Sequence, residues 1–387
     1  MKHIPGSRTL AASLCALSLL AGVLLGDAPR AARAKGNRQN VGGGWTVLAP
    51  VSYKNLTIFP VRGADLAGSA DYITLDEGTK AGTVVITEKG GTQSARVVRR
   101  NARGNARQQT VGYTSGASVN ELALVNRSGK KLLLLAGEVV VGGQQDRIVQ
   151  EDRVIPPVSV PVALSVFCVE HGRWTPHAAS YGGAGGGGSA HGTVGPVTAA
   201  EAPAPAKFSS LGAVAHPKLR GAAQDKKEQS AVWNEVSENN AKLGTSNSTD
   251  TYQQVYKSKQ VVSQMDDYIR ALQSEVLQPG VVGVVVARNG RPVWADVFAS
   301  QRLFAAYWPK LLKSYVVDAL GEDKSDARPA VAEATRYLQE RDGTVSTTTQ
   351  AGVYQLVTSE QAAYAVFELR DISLAAPLRL HFNKMNR

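Results

Sequence analysis

Val281-Val-Gly-Val-Val-Val-Ala-Arg-Asn-Gly-Arg-Pro-Val-Trp-Ala-Asp-Val-Phe298 is the most informative stretch of the chain. Two apolar, β-branched arms flank Asn289-Gly290, a dipeptide that accepts the positive φ of a two-residue hairpin loop. Around this hairpin the pattern alternates between helix and strand. Upstream, Asp225–Leu243 carries Ala231, Val232, Val236 and Leu243 on one stripe, with Gly244 as a stop. Asp250–Leu277 is a second helix, started by Ser248, Thr249 or Asp250 and closed by Pro279-Gly280. Downstream, Ser300 caps a helix containing Pro309, and Arg328–Arg341 is a further helix. Four β segments follow within 343–382.

The first half is β-rich. Trp45-Thr-Val-Leu, Tyr53–Val61 and Ala81–Glu88 alternate as strands do. Glu121–Val125, a turn at Asn126–Gly129 and the apolar arm Lys130–Val141 read as a hairpin, and Val158–Trp174 as another β segment. The fold class expected is α+β: a mostly antiparallel sheet, a helical middle packed on it and a β-rich C-terminal part. Residues 45–174 form the N-terminal half, 175–222 a Gly/Ala/Pro-rich linker or insertion, and 223–387 the C-terminal half.

Composition narrows the function classes. The chain has 387 residues, of which 43% are hydrophobic and 19% charged, which excludes a wholly disordered protein. Its 2 cysteines exclude a disulfide-stapled mini-fold. Lys2 and Arg8 precede the apolar run Leu10–Leu25, and Ala32-Arg33-Ala34 fits a cleavage site, so residues 1–34 read as a secretory signal and 35–44 as a flexible lead-in. Cleavage near Ala34 sends the protein to the periplasm or outside the cell. It removes four basic residues and one acid, which lowers the net charge from +11 to about +8. A basic exported protein favours anionic lipid, cell-wall polymer or phosphorylated small molecules. Cys168 is then the one cysteine left, and it has no internal partner.

Two stretches plant polar residues among apolar ones. In Leu135-Ala-Gly-Glu-Val-Val-Val-Gly-Gly-Gln-Gln-Asp-Arg147, Glu138 lies inside an apolar strand, and Arg147 is its expected partner. In Phe167-Cys-Val-Glu-His-Gly-Arg-Trp174, Cys168 and Glu170 share a face, and Gly172 turns the chain to present Arg173 and Trp174. One reading is a polar pocket at the strand ends, with Glu138 or Glu170 as acid or base and arginines gripping an anion. The other is a structural Glu–Arg network that fixes register, with Cys168 as a buried filler. Cys168 and His171 are badly placed for nucleophilic catalysis, and with His177 and His191 they match no standard zinc spacing. No metal or cofactor is expected. The arginine run at 95–110 lacks interleaved aromatics and reads as a solvated loop, so no nucleic acid is expected either.

Gly137–Arg147, Cys168–Trp174, Val232-Trp-Asn-Glu-Val236 and Trp308–Tyr315 occur in the order and rough spacing of one family. Over about residues 50–320 the chain resembles the ARG and rhodanese-phosphatase-superfamily-associated protein domain. Matching positions include Glu138, Gln145, Arg147, Cys168, Glu170, Arg173, Trp174, Trp233 and Asn234. The chain departs from the pattern at Asp146, where Asn is expected, and at His171, where Gln is expected. By association only, the resemblance implies a role near nucleotide or phosphate-ester metabolism.

The function expected is therefore binding of a small anionic ligand, nucleotide- or ADP-ribose-like, by Gln145, Arg147, Arg173, Trp174, Trp233 and Asn234. The alternatives are a hydrolase of such a ligand with Glu138 or Glu170 as general base, and a structural envelope protein meeting an anionic surface. The residues do not fix an oligomeric state.

Overall fold

The computed structural model describes residues 44–89, 120–173, 206–323, 325 and 327–387, the Arg173 side chain excepted. It also gives the backbone alone of Ala32–Lys35, Thr92–Arg100 and Ala106–Thr114. The fold is α+β, with antiparallel sheets and a strand-rich C-terminal region. The hairpin expected at Asn289-Gly290 forms, with Arg288 opposite Arg291 and φ of 50° and 79° at the two loop residues.

That hairpin lies within a ten-stranded antiparallel sheet. On one side Leu378–Asn386, Tyr364–Asp371, Tyr354–Glu360 and Thr344–Gln350 follow in turn. On the other, Leu56–Arg62 pairs with Val281–Arg288, setting Phe59 opposite Val285. Strands from both expected halves thus share one sheet.

One face of this sheet packs Phe59, Val61, Val285, Val297 and Phe382 beneath helix Val331–Gln339. The other face meets helix Gln301–Leu320, which runs unbroken through Pro309 and buries Phe304, Tyr307, Trp308, Leu311, Leu312 and Tyr315. A helix apolar on most sides must be covered on most sides. Here the sheet lies on one flank and a closed barrel of six strands on another. The barrel runs Glu138–Gly142, Arg147–Val149, Val158–Cys168, Glu121–Asn126, Val84–Glu88 and Lys207–Val214, then back to the first strand. Its interior holds Ile86, Leu122, Leu124, Val140, Val149, Leu164, Val166 and Phe208.

Several expectations change. Glu121–Asn126 and Lys131–Leu134 do not pair with each other: the first belongs to the barrel, and the second to a three-stranded sheet with Arg153–Ile155 and Tyr72–Ile73. The apolar arm Lys130–Val141 is broken at Gly137, φ 82°, where a Cβ would lie 2.5 Å from Cγ of Arg220. Lys207–Val214 is a barrel strand and Pro217–Gly221 a helix, so the end of the expected linker is structured. Thr92–Arg100 and Ala106–Thr114 form a paired hairpin rather than a loop. The helix expected from Asp225 begins at Gln229. The next is divided into Tyr252–Tyr256 and Lys259–Val276, with Ser258 as the cap of the latter. The expected signal lies outside the described residues, apart from the backbone of Ala32–Ala34, and so does 174–205. Among the described residues no helix is long and apolar enough to cross a membrane.

Candidate functional site

Arg147 opens a barrel strand opposite Val140 on one side and Cys168 on the other. Side chains alternate along a strand. Ile148 and Phe167 face the main core, whereas Val140, Val149 and Val166 face the barrel interior, so Arg147 and Cys168 belong to the interior face at one barrel end. The loop leading to Arg147 needs its glycines. A Cβ on Gly142 would lie 2.5 Å from the Lys207 carbonyl, and one on Gly143 would lie 2.4 Å from both Oε1 of Glu88 and Cζ of Phe208.

Side chains then tie this loop to its neighbours. The Gln144 N–H donates to Oε1 of Glu88 at 3.0 Å, and Oγ1 of Thr251 to Oδ2 of Asp146 at 3.1 Å. Gln145 donates from Nε2 to the Glu170 carbonyl at 2.9 Å, while Oε2 of Glu170 accepts from the Asp146 N–H at 3.3 Å. Arg147 is only 1% exposed. Its Nη1 donates to Oε1 of Gln145 at 3.3 Å and to the Asp146 carbonyl at 3.4 Å, and its buried Nε has no acceptor among the described residues.

Helix Gln229–Leu243 closes the side of the site. Gln229 clamps the barrel strand as a strand neighbour would, accepting from the Cys168 N–H at 2.9 Å and donating to the Cys168 carbonyl at 2.8 Å. One turn on, Trp233 meets the His171 ring edge-on at 4.4 Å, and its buried indole N–H has no acceptor among the described residues. Gly172 sits where a Cβ would lie 2.9 Å from the Ser248 carbonyl. Burial pushes the Cys168 thiol up to about 11, against the lowering field of Arg147, so it stays protonated at neutral pH and is a poor nucleophile.

Gln145, Arg147 and Glu170 are thus brought together, while Trp233 packs on His171, the residue after Glu170. Asn234 is exposed. The Arg173 side chain and Trp174 lie outside the described residues.

Glu138 goes elsewhere, and its expected pairing with Arg147 is overturned. A register shift between Glu138 and Val140 follows Gly137, and the carboxylate is taken by Lys310 of the buried helix. Lys310 also pairs with Asp76 at 2.8 Å, whose other oxygen accepts from Ser210. Burial lowers Lys310, but the two carboxylates outweigh it and hold the ammonium above its ordinary value. Asp76 is set in place by a capping box: Thr74 accepts from the Glu77 N–H at 3.2 Å, and Glu77 accepts from the Thr74 N–H at 2.7 Å.

A second buried network was not expected at all. Asp296 receives a fork from Arg220 at 3.0 and 3.1 Å, Nε2 of His381 at 3.0 Å, Asn383 at 3.0 Å, the Trp294 indole at 2.8 Å and the Tyr315 hydroxyl. Nδ1 of His381 lies 2.5 Å from Asp152, which also accepts from the Ala136 N–H at 2.7 Å. Asp152, Arg220, Asp296 and His381 are all sealed at 0% exposure. Burial lowers His381, yet Asp152 and Asp296 outweigh it and raise the imidazole to about 9. Burial likewise raises Asp296, but Arg220 and His381 bring it well below the carboxylate range. Two acids and two cations balance, so this is a joint between barrel and sheet with no access for a ligand. Its signal in the sequence was Asp296 and His381 standing inside apolar strands. Among the described residues, no group of His, Cys, Asp and Glu is placed to hold a metal ion.

A family model, that of the ARG and Rhodanese-Phosphatase-superfamily-associated Protein domain, matches residues 44–371. No curated protein and no solved structure matches the chain.

Proposed function

The chain belongs to the ARG and Rhodanese-Phosphatase-superfamily-associated Protein domain family, and we propose that it binds a small anionic ligand at the barrel end around Arg147. The observation that carries this reading is the Arg147 guanidinium: it is 1% exposed, pairs with no carboxylate among the described residues, and leaves Nε without an acceptor. A buried, uncompensated cation costs several kcal/mol. An anion arriving at the guanidinium offsets that cost with charge-assisted hydrogen bonds. Gln145 orients Nη1. A ligand of the nucleotide or ADP-ribose kind carries such an anion and is in keeping with the phosphate chemistry in the family's name. We propose too that the protein is exported, on the pattern of residues 1–34, so that the ligand it meets is outside the cytoplasm.

A hydrolase is the second reading. Glu170 lies in the same cluster as Arg147, whereas Glu138 is held by Lys310 away from it, so in this reading Glu170 is the general base.

A thermal-shift panel of ADP-ribose, nucleotides and sugar phosphates tests the proposal. At least one anion raises the melting temperature of the wild type and not of Arg147→Met. If no anion does so, the reading fails and the envelope-protein alternative gains. Turnover lost in Glu170→Gln, with the shift retained, identifies the hydrolase.

A further inference from the structure

The barrel strands Val84–Glu88 and Glu121–Asn126 pair antiparallel, with Glu88 opposite Leu122. Between them the chain builds a two-stranded ribbon of its own, Thr92–Arg100 against Ala106–Thr114, which pairs with no other strand among the described residues. The ribbon is rooted at the barrel end that holds Arg147. There Glu88 accepts the Gln144 N–H at 3.0 Å, and Lys89 pairs with Glu121 at 2.7 Å. The ribbon register runs without a shift, and the period of two assigns its residues to faces. Arg99 lies directly opposite Arg107 and shares its face. Arg96, opposite Thr110, and Arg100, opposite Ala106, belong to the other face. Like charges directly opposite each other oppose strand pairing. The segment supplies nothing to offset them, since no Asp or Glu occurs from Lys89 to Asn120. Neither ribbon strand contains Phe, Trp, Leu, Ile or Met.

We propose that this ribbon is a docking arm for a linear phosphodiester polymer without bases, of the cell-wall kind. Arginine is the residue whose planar fork matches phosphate oxygens. Its presence on both faces suits a flexible chain that can wrap the ribbon. A bilayer meets one face only, and an element that enters its interface carries Trp, Phe or Leu, which the ribbon strands lack. A nucleic-acid single strand is held by aromatic side chains stacked on its bases, and none lies at the register positions 96–100 and 106–110. A duplex can admit a β-ribbon in its major groove, but the signal-like pattern of residues 1–34 favours a polymer met outside the cytoplasm.

The test titrates the full chain with poly(glycerol phosphate), and in parallel with a duplex oligonucleotide and with phosphatidylglycerol vesicles at matched phosphate concentration. The wild type binds the polymer. Arg96→Gln, Arg99→Gln, Arg100→Gln and Arg107→Gln together weaken that binding tenfold or more. They also reduce the slope of log affinity against log salt by about 3, at roughly 0.7 for each phosphate neutralised on a single strand. Arg96→Lys, Arg99→Lys, Arg100→Lys and Arg107→Lys together keep the charge and bind within a few-fold of the wild type, which separates a lost charge from a lost fold. Arg147→Met binds the polymer as the wild type does, because Arg147 is no part of the ribbon. No binding by the wild type, equal binding by the Gln variant, or loss in the Lys variant as well overturns the proposal. So does binding of the duplex alone or of the vesicles alone, which gives the arm a different partner. Loss in Arg147→Met with the Gln variant unaffected also overturns it, and moves the polymer to the barrel end.

Discussion

Arg147 donates from Nη1 to Oε1 of Gln145 at 3.3 Å, and Gln145 in turn donates to the Glu170 carbonyl at 2.9 Å. The guanidinium is therefore held by neutral groups, inside a barrel end, without a carboxylate partner among the described residues.

This relationship gives the first expected outcome. Removing one partner of a satisfied buried ion pair costs about 3–5 kcal/mol. Arg147 has no such partner among the described residues, so Arg147→Met leaves the urea midpoint unchanged or raises it. A midpoint that falls by an amount equivalent to several kcal/mol would show that the arginine serves the fold.

Lys310 behaves in the opposite way. It stands between Glu138 and Asp76, so Lys310→Met strands two carboxylates, one of them fully buried. The expected loss is about 3–5 kcal/mol in denaturant unfolding. Adding Glu138→Leu to Lys310→Met recovers part of that loss, because the second change removes the buried charge left behind. A strictly additive double mutant would contradict the coupling.

The Asp152–His381–Asp296 line predicts an alkaline limb in stability. The folded state raises His381 from 6.5 to about 9. Its contribution is fully present below the unfolded value and is lost as pH rises through about 9. The size is on the order of 3 kcal/mol. Lys384 is shifted the other way, down to about 8, mainly by burial, so it adds stability over the alkaline range. The measurement is therefore the difference between wild type and His381→Asn, which shrinks between pH 6.5 and 9. A constant difference would mean that His381 is neutral in the fold.

Gln229 is a stability hinge between helix and barrel. Gln229→Ala leaves the N–H and C=O of Cys168 without their partners, at about 1–3 kcal/mol for each buried group left unsatisfied. Gln229→Glu keeps the acceptor and loses the donor, so it should fall between alanine and the wild type in chemical denaturation.

Local signals were the readable part of the fold. Asn289-Gly290 fixed its own hairpin, and Ser300 capped its own helix, because both depend on residues within a few positions. Longer-range pairing was not readable. Nothing in Glu121–Asn126 or Lys131–Leu134 states that each has a partner other than its neighbour, and the break at Gly137 answers to the distant Arg220. The candidate site shows the same limit. Gln145 and Arg147 meet within one loop and Glu170 joins them through the pairing of Arg147 with Cys168, whereas the partner of Glu138 came from a helix 172 positions away. The rule that a charge in an apolar strand needs an answer held for Glu138. It applied with equal force to Asp296 and His381, whose partners lie 76 and 229 positions off.

The most direct measurement is calorimetric titration of the full chain with ADP-ribose, nucleotides and sugar phosphates, in the wild type and in Arg147→Met. Saturable binding of at least one of these anions, weakened tenfold or more by a substitution that leaves the fold intact, is the predicted result. Equal affinity in the two proteins, or no binding by the wild type, would contradict an anion site built on Arg147.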